Sequence, residues 1–462
     1  MIERLRGPDP FVAFVGAGAS AIPPSRLPGW IGFNDLLLEA LCDRLGVYSR
    51  QRQPTDDMLS QFRARRDQSR FLAPDFQAQL MEEEIGHEYF RVWQSLDTNE
   101  FGPVHAALAA LASKGRIAAI ITTNFDRLVE AALVEQGHPF EVFHDADAYE
   151  RLASRGTDNN SALPVVKIHG SIEDTASLVD TLKQRVAGRP AAMLQSLDHL
   201  LRQHPWLFLG FSGADFGYDP RYLGVLDAAE YARGFVFLAR DGVAVQPGVH
   251  RLAEAYGADK AAIVTGDLST WLTDTFDITA TPRRDETTQT ADAVEQRVRD
   301  GVQAWAENLE PISVVNILCA MLRASGMERH SHWLLRKTWK SYRFSTDTTG
   351  TSYDRYNYNY GLALLEAGCI RNPVALNDDM SNLMEWKAHA DQNAFEFLAR
   401  SYKSGKLLAA GAQVAAVLAY RGEMGRHLHS HQPSPMRRLR PRTSWTCVTS
   451  RWRAFPSMTS SA

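Results

Sequence analysis

Residues 11–20 read Phe-Val-Ala-Phe-Val-Gly-Ala-Gly-Ala-Ser. The first five are apolar without a break, as in a strand covered on both faces rather than one with a wet side. The run then meets glycines. At a first β-to-α turn these allow close backbone approach to a phosphate, and N–H groups at the start of a following helix favour its charge. Alone, G-x-G-x-S fits a tight structural turn as well, so its surroundings decide. Short β-branched or aromatic runs recur at residues 117–121, 165–168, 206–210, 235–239 and 261–264, with longer amphipathic stretches between them. That alternation is the trace of a parallel sheet with crossover helices, and it predicts an α/β domain over residues 1–276.

Three of the later runs also end on short polar motifs. These are Thr122-Thr123-Asn124-Phe125-Asp126, Lys167-Ile168-His169-Gly170-Ser171 and Gly210-Phe211-Ser212-Gly213-Ala214-Asp215. Open α/β sheets bind ligands beyond the carboxyl ends of their strands. A histidine there can take or relay a proton near neutral pH. Each residue has a plainer reading beside this one: Asn124 or Asp126 as a helix cap, His169 as a satisfied structural imidazole.

Taken in order, GAGAS, TTNFD, KIHGS and GFSGAD resemble the sirtuin family and its prokaryotic sirtuin-like branch, over residues 8–275. The resemblance implies a Rossmann-like sheet with helices on both faces, and NAD as substrate. It implies that Gly16, Ala17, Gly18 and Ser20 surround the pyrophosphate, and that Asn124 stands beside the nicotinamide ribose. Asp126 would contact the carboxamide, His169 a ribose hydroxyl or water, and Gly210 and Ser212 the adenosine side, with Asp267 closing over the adenine. Two departures qualify it. Residues 170–318 contain no cysteine, so the paired C-x-x-C zinc module of protein-deacylating sirtuins is missing and no zinc is expected. The family's G-I-P-x-F-R element is replaced by residues 21–30, in which Arg26 has no secure match. The hundred or so residues between the first two motifs, with the acidic helix-like residues 81–84, are candidates for a lid.

The activity implied is hydrolysis of the nicotinamide–ribose bond by Asn124, Asp126 and His169, with water replacing the acyl acceptor. A role as an effector of prokaryotic antiviral, abortive-infection defence follows from the same resemblance. An NAD-dependent protein deacylase or ADP-ribosyltransferase is the first alternative, and a non-catalytic NAD or ADP-ribose sensor the second.

Past the sheet the texture changes. Residues 277–290 are Thr-rich and charged, and read as a linker. Residues 291–425 offer helical stretches at 291–307, 312–324 and 393–404, with aromatic and small residues at helical spacing in a tetratricopeptide-like texture. An all-α sensor or interaction module is expected, with a homo-oligomer or a trigger protein as partner. Residues 426–462 carry seven Arg, no Lys and no acid, a basic stretch expected to be disordered or an interaction arm.

The whole chain has 462 residues, 45% hydrophobic and 23% charged, within the range of ordinary globular proteins. Its net charge of −4 averages a basic end and a body at −11, so the body is not expected to bind nucleic acid. The cysteines at 42, 319, 369 and 447 are too scattered for a disulfide framework or metal knuckle, and read as reduced thiols. No apolar run reaches 18 residues and none near the start has the length of a signal-peptide core, so a cytoplasmic protein without a membrane span is expected.

Overall fold

Seven short runs form strands, all parallel. They are β1 (Phe11–Val15), β2 (Ile117–Thr122), β3 (Phe140–Phe143), β4 (Leu163–Lys167), β5 (Trp206–Leu209), β6 (Phe235–Ala239) and β7 (Ala261–Thr265). In the computed structural model, residues 1–45, 55–68, 73–155, 162–218, 222–284, 292–342 and 356 are described. The strands make one sheet in the order β3-β4-β2-β1-β5-β6-β7, with helices around it. This is a Rossmann-like α/β architecture, as the alternation predicts. Every residue of β1, β5 and β6 is buried, which accounts for their uninterrupted apolar sequences.

Strand β3 is the one the sequence does not announce. It is a four-residue edge strand, Phe-Glu-Val-Phe, of which only Phe143 is buried, so neither an apolar run nor a clean alternation marks it. The other strands agree with the expected runs to within two residues at either end.

Register positions the site. Val15 pairs with Thr122 on one side and Leu209 on the other, and Thr122 pairs with Lys167. The last residues of β1, β2 and β5 are therefore level with the end of β4, and the four polar motifs leave the sheet along one edge. Sequence order reverses at β1: the chain builds β2, β3 and β4 on one side, then returns to lay β5 on the other. Such a switch point opens a crevice beyond the carboxyl ends. Beneath it, Phe14 packs with Trp206, Phe208 and Phe211, at ring-centroid separations of 6.0, 4.9 and 4.9 Å. Each such buried aromatic contributes about 1.5–3 kcal/mol to stability.

The chain divides into two compact units, Met1–Ser325 and Gly326–Ala462. The first contains the sheet and also the helices Ala293–Asn308 and Pro311–Ala324, which begin the stretch read as a separate α module. They pack on helices Trp30–Arg44 and Pro74–Ile85. Trp305 Nε1 donates to Glu88 O at 3.0 Å, and Asn316 Nδ2 to Glu84 Oε1 at 2.9 Å. Apolar faces of these two helices, Val294, Val298 and Val302 on one and Val314, Val315 and Leu318 on the other, are buried within the first unit. The expected linker is also tethered in part: Arg283 N donates to Phe101 O, and its guanidinium pairs with Glu135 at 2.9 Å.

In the second unit, helix Glu328–Tyr342 is described, with Tyr356 OH donating to Leu335 O at 3.1 Å. The C-terminal region is thus helical where described. The stretch at 393–404, the repeat texture and the basic residues 426–462 lie outside the described residues. Among the described residues, no helix is long and apolar enough to cross a membrane.

Candidate functional site

The glycine loop after β1 is shaped by the loop after β5. Gly18 N donates to Gly210 O at 2.8 Å and Gly16 N to Leu209 O at 2.9 Å. A Cβ on Gly18 would stand 2.7 Å from Gly210 O, and Gly210, at φ +62°, has Ala19 N where its own Cβ would go. The first requirement for glycine here is mutual: two backbones close on each other across the switch point. The expected helix does not follow directly. Residues 17–25 form turns and the next helix starts at Trp30, while Gly18, Ala19, Ser20 and Ala21 spend their N–H groups inside these loops. Phosphate recognition by a helix N-terminus immediately after the glycines is therefore corrected by the structure. The N–H of exposed Ala17 stays outside these bonds.

Ser20, buried below that turn, is the hub of a polar network. Its Oγ donates to Asp126 Oδ2 at 2.8 Å and accepts from Asn124 Nδ2 at 3.0 Å. His105 Nε2 lies 3.4 Å from the same oxygen. All four residues are buried. Asp126 Oδ1 also accepts from Leu128 N at 3.1 Å, so the capping reading of Asp126 and the site reading hold together. Burial raises the Asp126 carboxyl above its ordinary value, and nearby Lys167 and the hydrogen bonds pull it back.

Lys167 holds this loop from beneath. At 0% exposure its ammonium reaches Glu130 Oε1 at 2.8 Å, Phe125 O at 3.3 Å and Asp126 O at 2.5 Å. A lysine inside the apolar run Val-Val-Lys-Ile is the sequence signal for such a strut.

His169 follows β4 and faces the loop of β2, its ring 6.3 Å from that of Phe125. It hydrogen-bonds the Thr123 backbone, and its Nε2 lies 3.1 Å from Tyr222 OH. Burial, then the nearby Arg189 and Arg185, hold the imidazole well below its ordinary value, so it is neutral. The neutral ring donates to the Thr123 carbonyl and leaves Nε2 as acceptor. Tyr222 donates to it, since burial raises that phenol well above its ordinary value and keeps it protonated. Gly170, at φ +85°, gives the turn beyond His169 its room. Tyr222 also lines a cavity of about 690 Å³ with Arg185, Arg189 and Asp215, in which Arg185 pairs with Asp215.

The structure thus brings together Gly16, Ala17, Gly18, Ser20, Asn124, Asp126, His169 and Gly210 along one edge of the sheet. Ser212, exposed in the β5 loop, accepts from Ala214 N at 3.2 Å. Asp267 stands apart. It follows β7, the sheet edge, and caps helix Leu268–Phe276, accepting from Thr270 N at 2.9 Å and Ser269 Oγ at 2.7 Å. Arg26 turns to Asp292 at 2.7 Å. His105 and Tyr222 are additions that motif reading does not supply, and Lys167, though part of the KIHGS motif, has no role assigned by it.

No curated protein matches the chain. A family model does, over residues 118–259, a span that runs from β2 to just before β7 and includes Asn124, Asp126, His169, Gly210 and Ser212. Over that span the chain is similar to a SIR2-like domain, consistent with a sirtuin-like family.

Proposed function

We propose that this chain hydrolyses NAD at the nicotinamide–ribose bond. The observation that carries the proposal is the convergence at one sheet edge of a buried Ser20–Asn124–Asp126 network with a neutral His169 whose Nε2 is an acceptor. The leaving group departs as neutral nicotinamide, taking the electron pair of the broken bond, while water supplies the oxygen that bonds the anomeric carbon. Little acid catalysis is needed, and positioning and electrostatics do most of the work.

Asn124 and Asp126 hold the amide and ribose end in this reading, with Ser20 fixing both side chains. His169 Nε2 receives the proton that water loses, once substrate takes the place of the Tyr222 hydroxyl. Gly16, Ala17, Gly18, Gly210 and Ser212 line the crevice for the pyrophosphate and adenosine. Asp267, committed to its cap, is a peripheral contact at most. The missing C-x-x-C pairs favour hydrolysis over deacylation. The cellular role we infer, an effector of prokaryotic antiviral defence controlled through its helical region, rests on the family resemblance.

Nicotinamide release tests this. Purified protein should consume NAD without acetylated peptide, and Asn124→Ala and His169→Ala should each abolish it with the fold intact. Release only in the presence of peptide would make it a deacylase. Full hydrolysis by either variant would refute the assignment of these residues.

A further inference from the structure

We infer that His105 is a positioning residue of the site, acting as an Nε2–H donor that fixes the Ser20 hydroxyl toward Asp126; this rests on the proposed NAD-hydrolase reading. His105 comes from helix Pro103–Ser113, packed beside the site, and lies fully buried in an otherwise alanine- and leucine-rich sequence. A polar ring in that place needs a partner, and its geometry offers one. Nε2 is 3.4 Å from Ser20 Oγ, and Nδ1 has no hydrogen-bond partner.

The proton inventory follows from the distances. Ser20 has one hydroxyl hydrogen, and the 2.8 Å contact to Asp126 Oδ2 takes it, since the carboxylate is the stronger and nearer acceptor. Ser20 Oγ then has two lone pairs. Asn124 Nδ2 donates to one at 3.0 Å, which leaves the other for His105. His105 must therefore carry its proton on Nε2. Burial lowers its imidazole to about 4, so the ring stays neutral near pH 7 and the bare Nδ1 is the atom left without a partner. A protonated ring would bury an N–H at Nδ1 facing no acceptor.

With both lone pairs filled, the hydroxyl cannot rotate away from Asp126, and the carboxylate and Asn124 amide keep one relative orientation. His105 touches none of the reacting atoms in this account. It acts through Ser20, so its effect belongs to the positioning of Asn124 and Asp126 and not to proton transfer.

Glutamine places an amide NH2 near the His Nε2 position, whereas asparagine mimics Nδ1 and leucine offers no donor. His105→Gln should keep kcat for nicotinamide release within about threefold of the parent, while His105→Asn and His105→Leu lose about tenfold, the worth of one such bond. Circular dichroism and thermal melting check that all three fold. Independently of activity, ring 15N–1H correlation spectra of the parent, with His105 assigned by its loss in His105→Gln, should show the Nε2–H tautomer. An Nδ1–H tautomer, or equal activity of the Gln, Asn and Leu variants, would overturn the inference. A parent that shows the Nε2–H tautomer but releases no nicotinamide would refute the hydrolase reading and leave the His105–Ser20 geometry standing.

Discussion

Replacing Lys167 by Met removes a fully buried ammonium and strands two acceptors, Glu130 Oε1 and the carbonyl of Asp126, while the Phe125 carbonyl keeps its bond from Ile172 N at 3.1 Å. Glu130 already has Oε2 buried without a partner, so nothing nearby takes over the charge. Breaking a buried pair in this way costs about 3–5 kcal/mol. The double variant Lys167→Met with Glu130→Leu deletes both charges, and what remains is mainly the unpaired carbonyl of Asp126, about 1–3 kcal/mol. The two substitutions should therefore be strongly non-additive, with the double variant about 2 kcal/mol more stable than Lys167→Met alone. Urea unfolding followed by tryptophan fluorescence measures both, and thermal melts should place Lys167→Met about 6 °C below the parent. Because the stranded carbonyl is that of Asp126 itself, nicotinamide release should stay low in the double variant even as stability recovers. A double variant no more stable than Lys167→Met would refute the reasoning, since the cost would then lie in lost packing and not in the stranded carboxylate.

Gly210→Ala puts a Cβ 2.4 Å from Ala19 N at a residue held at φ +62°, so the two loops must part; about 1–3 kcal/mol of stability and most NAD binding should be lost, by melting and calorimetry. Because burial holds His105 at about 4 against an ordinary 6.5, the unfolded chain binds a proton below pH 6.5 that the fold does not. The stability linked to His105 is thus full above pH 6.5 and is lost as pH falls toward 4. The parent's advantage over His105→Gln should shrink by about 3 kcal/mol across that window in urea titrations. Tyr222→Phe removes the hydroxyl that substrate must displace from His169 Nε2 and should leave kcat for nicotinamide release equal to the parent's or raise it, with little change in melting; a loss of about tenfold, the worth of one hydrogen bond, would show that the hydroxyl stays bound during turnover.

The sequence exposes the strands whose residues are buried on both faces, because an apolar run of five has few other uses, and it exposes the motifs because polar residues end those runs. It hides β3, which spends its side chains half on solvent, and it hides everything held by contact across the sheet. His105 looks like one polar residue on an apolar helix until β1 brings Ser20 beside it. Tyr222 carries no motif at all, and its meaning comes from His169 in the loop after β4. The glycine loop was legible as a close approach, but the sequence suggested a phosphate where the nearest neighbour is the backbone of Gly210. Asp267 shows the converse: a strand-end acid in a plausible place that the sheet order moves to the edge and a helix cap engages.

The loop pairing at the switch point also bears on when the crevice can exist during synthesis. Gly18 leaves the ribosome well before its partner Gly210, which comes only after β2, β3 and β4 have been made. Contacts so distant in sequence form late, because the chain between them must first be closed into a loop. A nascent chain that has completed β4 holds Asn124, Asp126 and His169 but lacks the wall that gives the glycine loop its shape. Under the proposed function, competence to bind the dinucleotide is thereby deferred until β5 has emerged, which would keep a ribosome-bound chain from consuming NAD while the rest of it is still being translated.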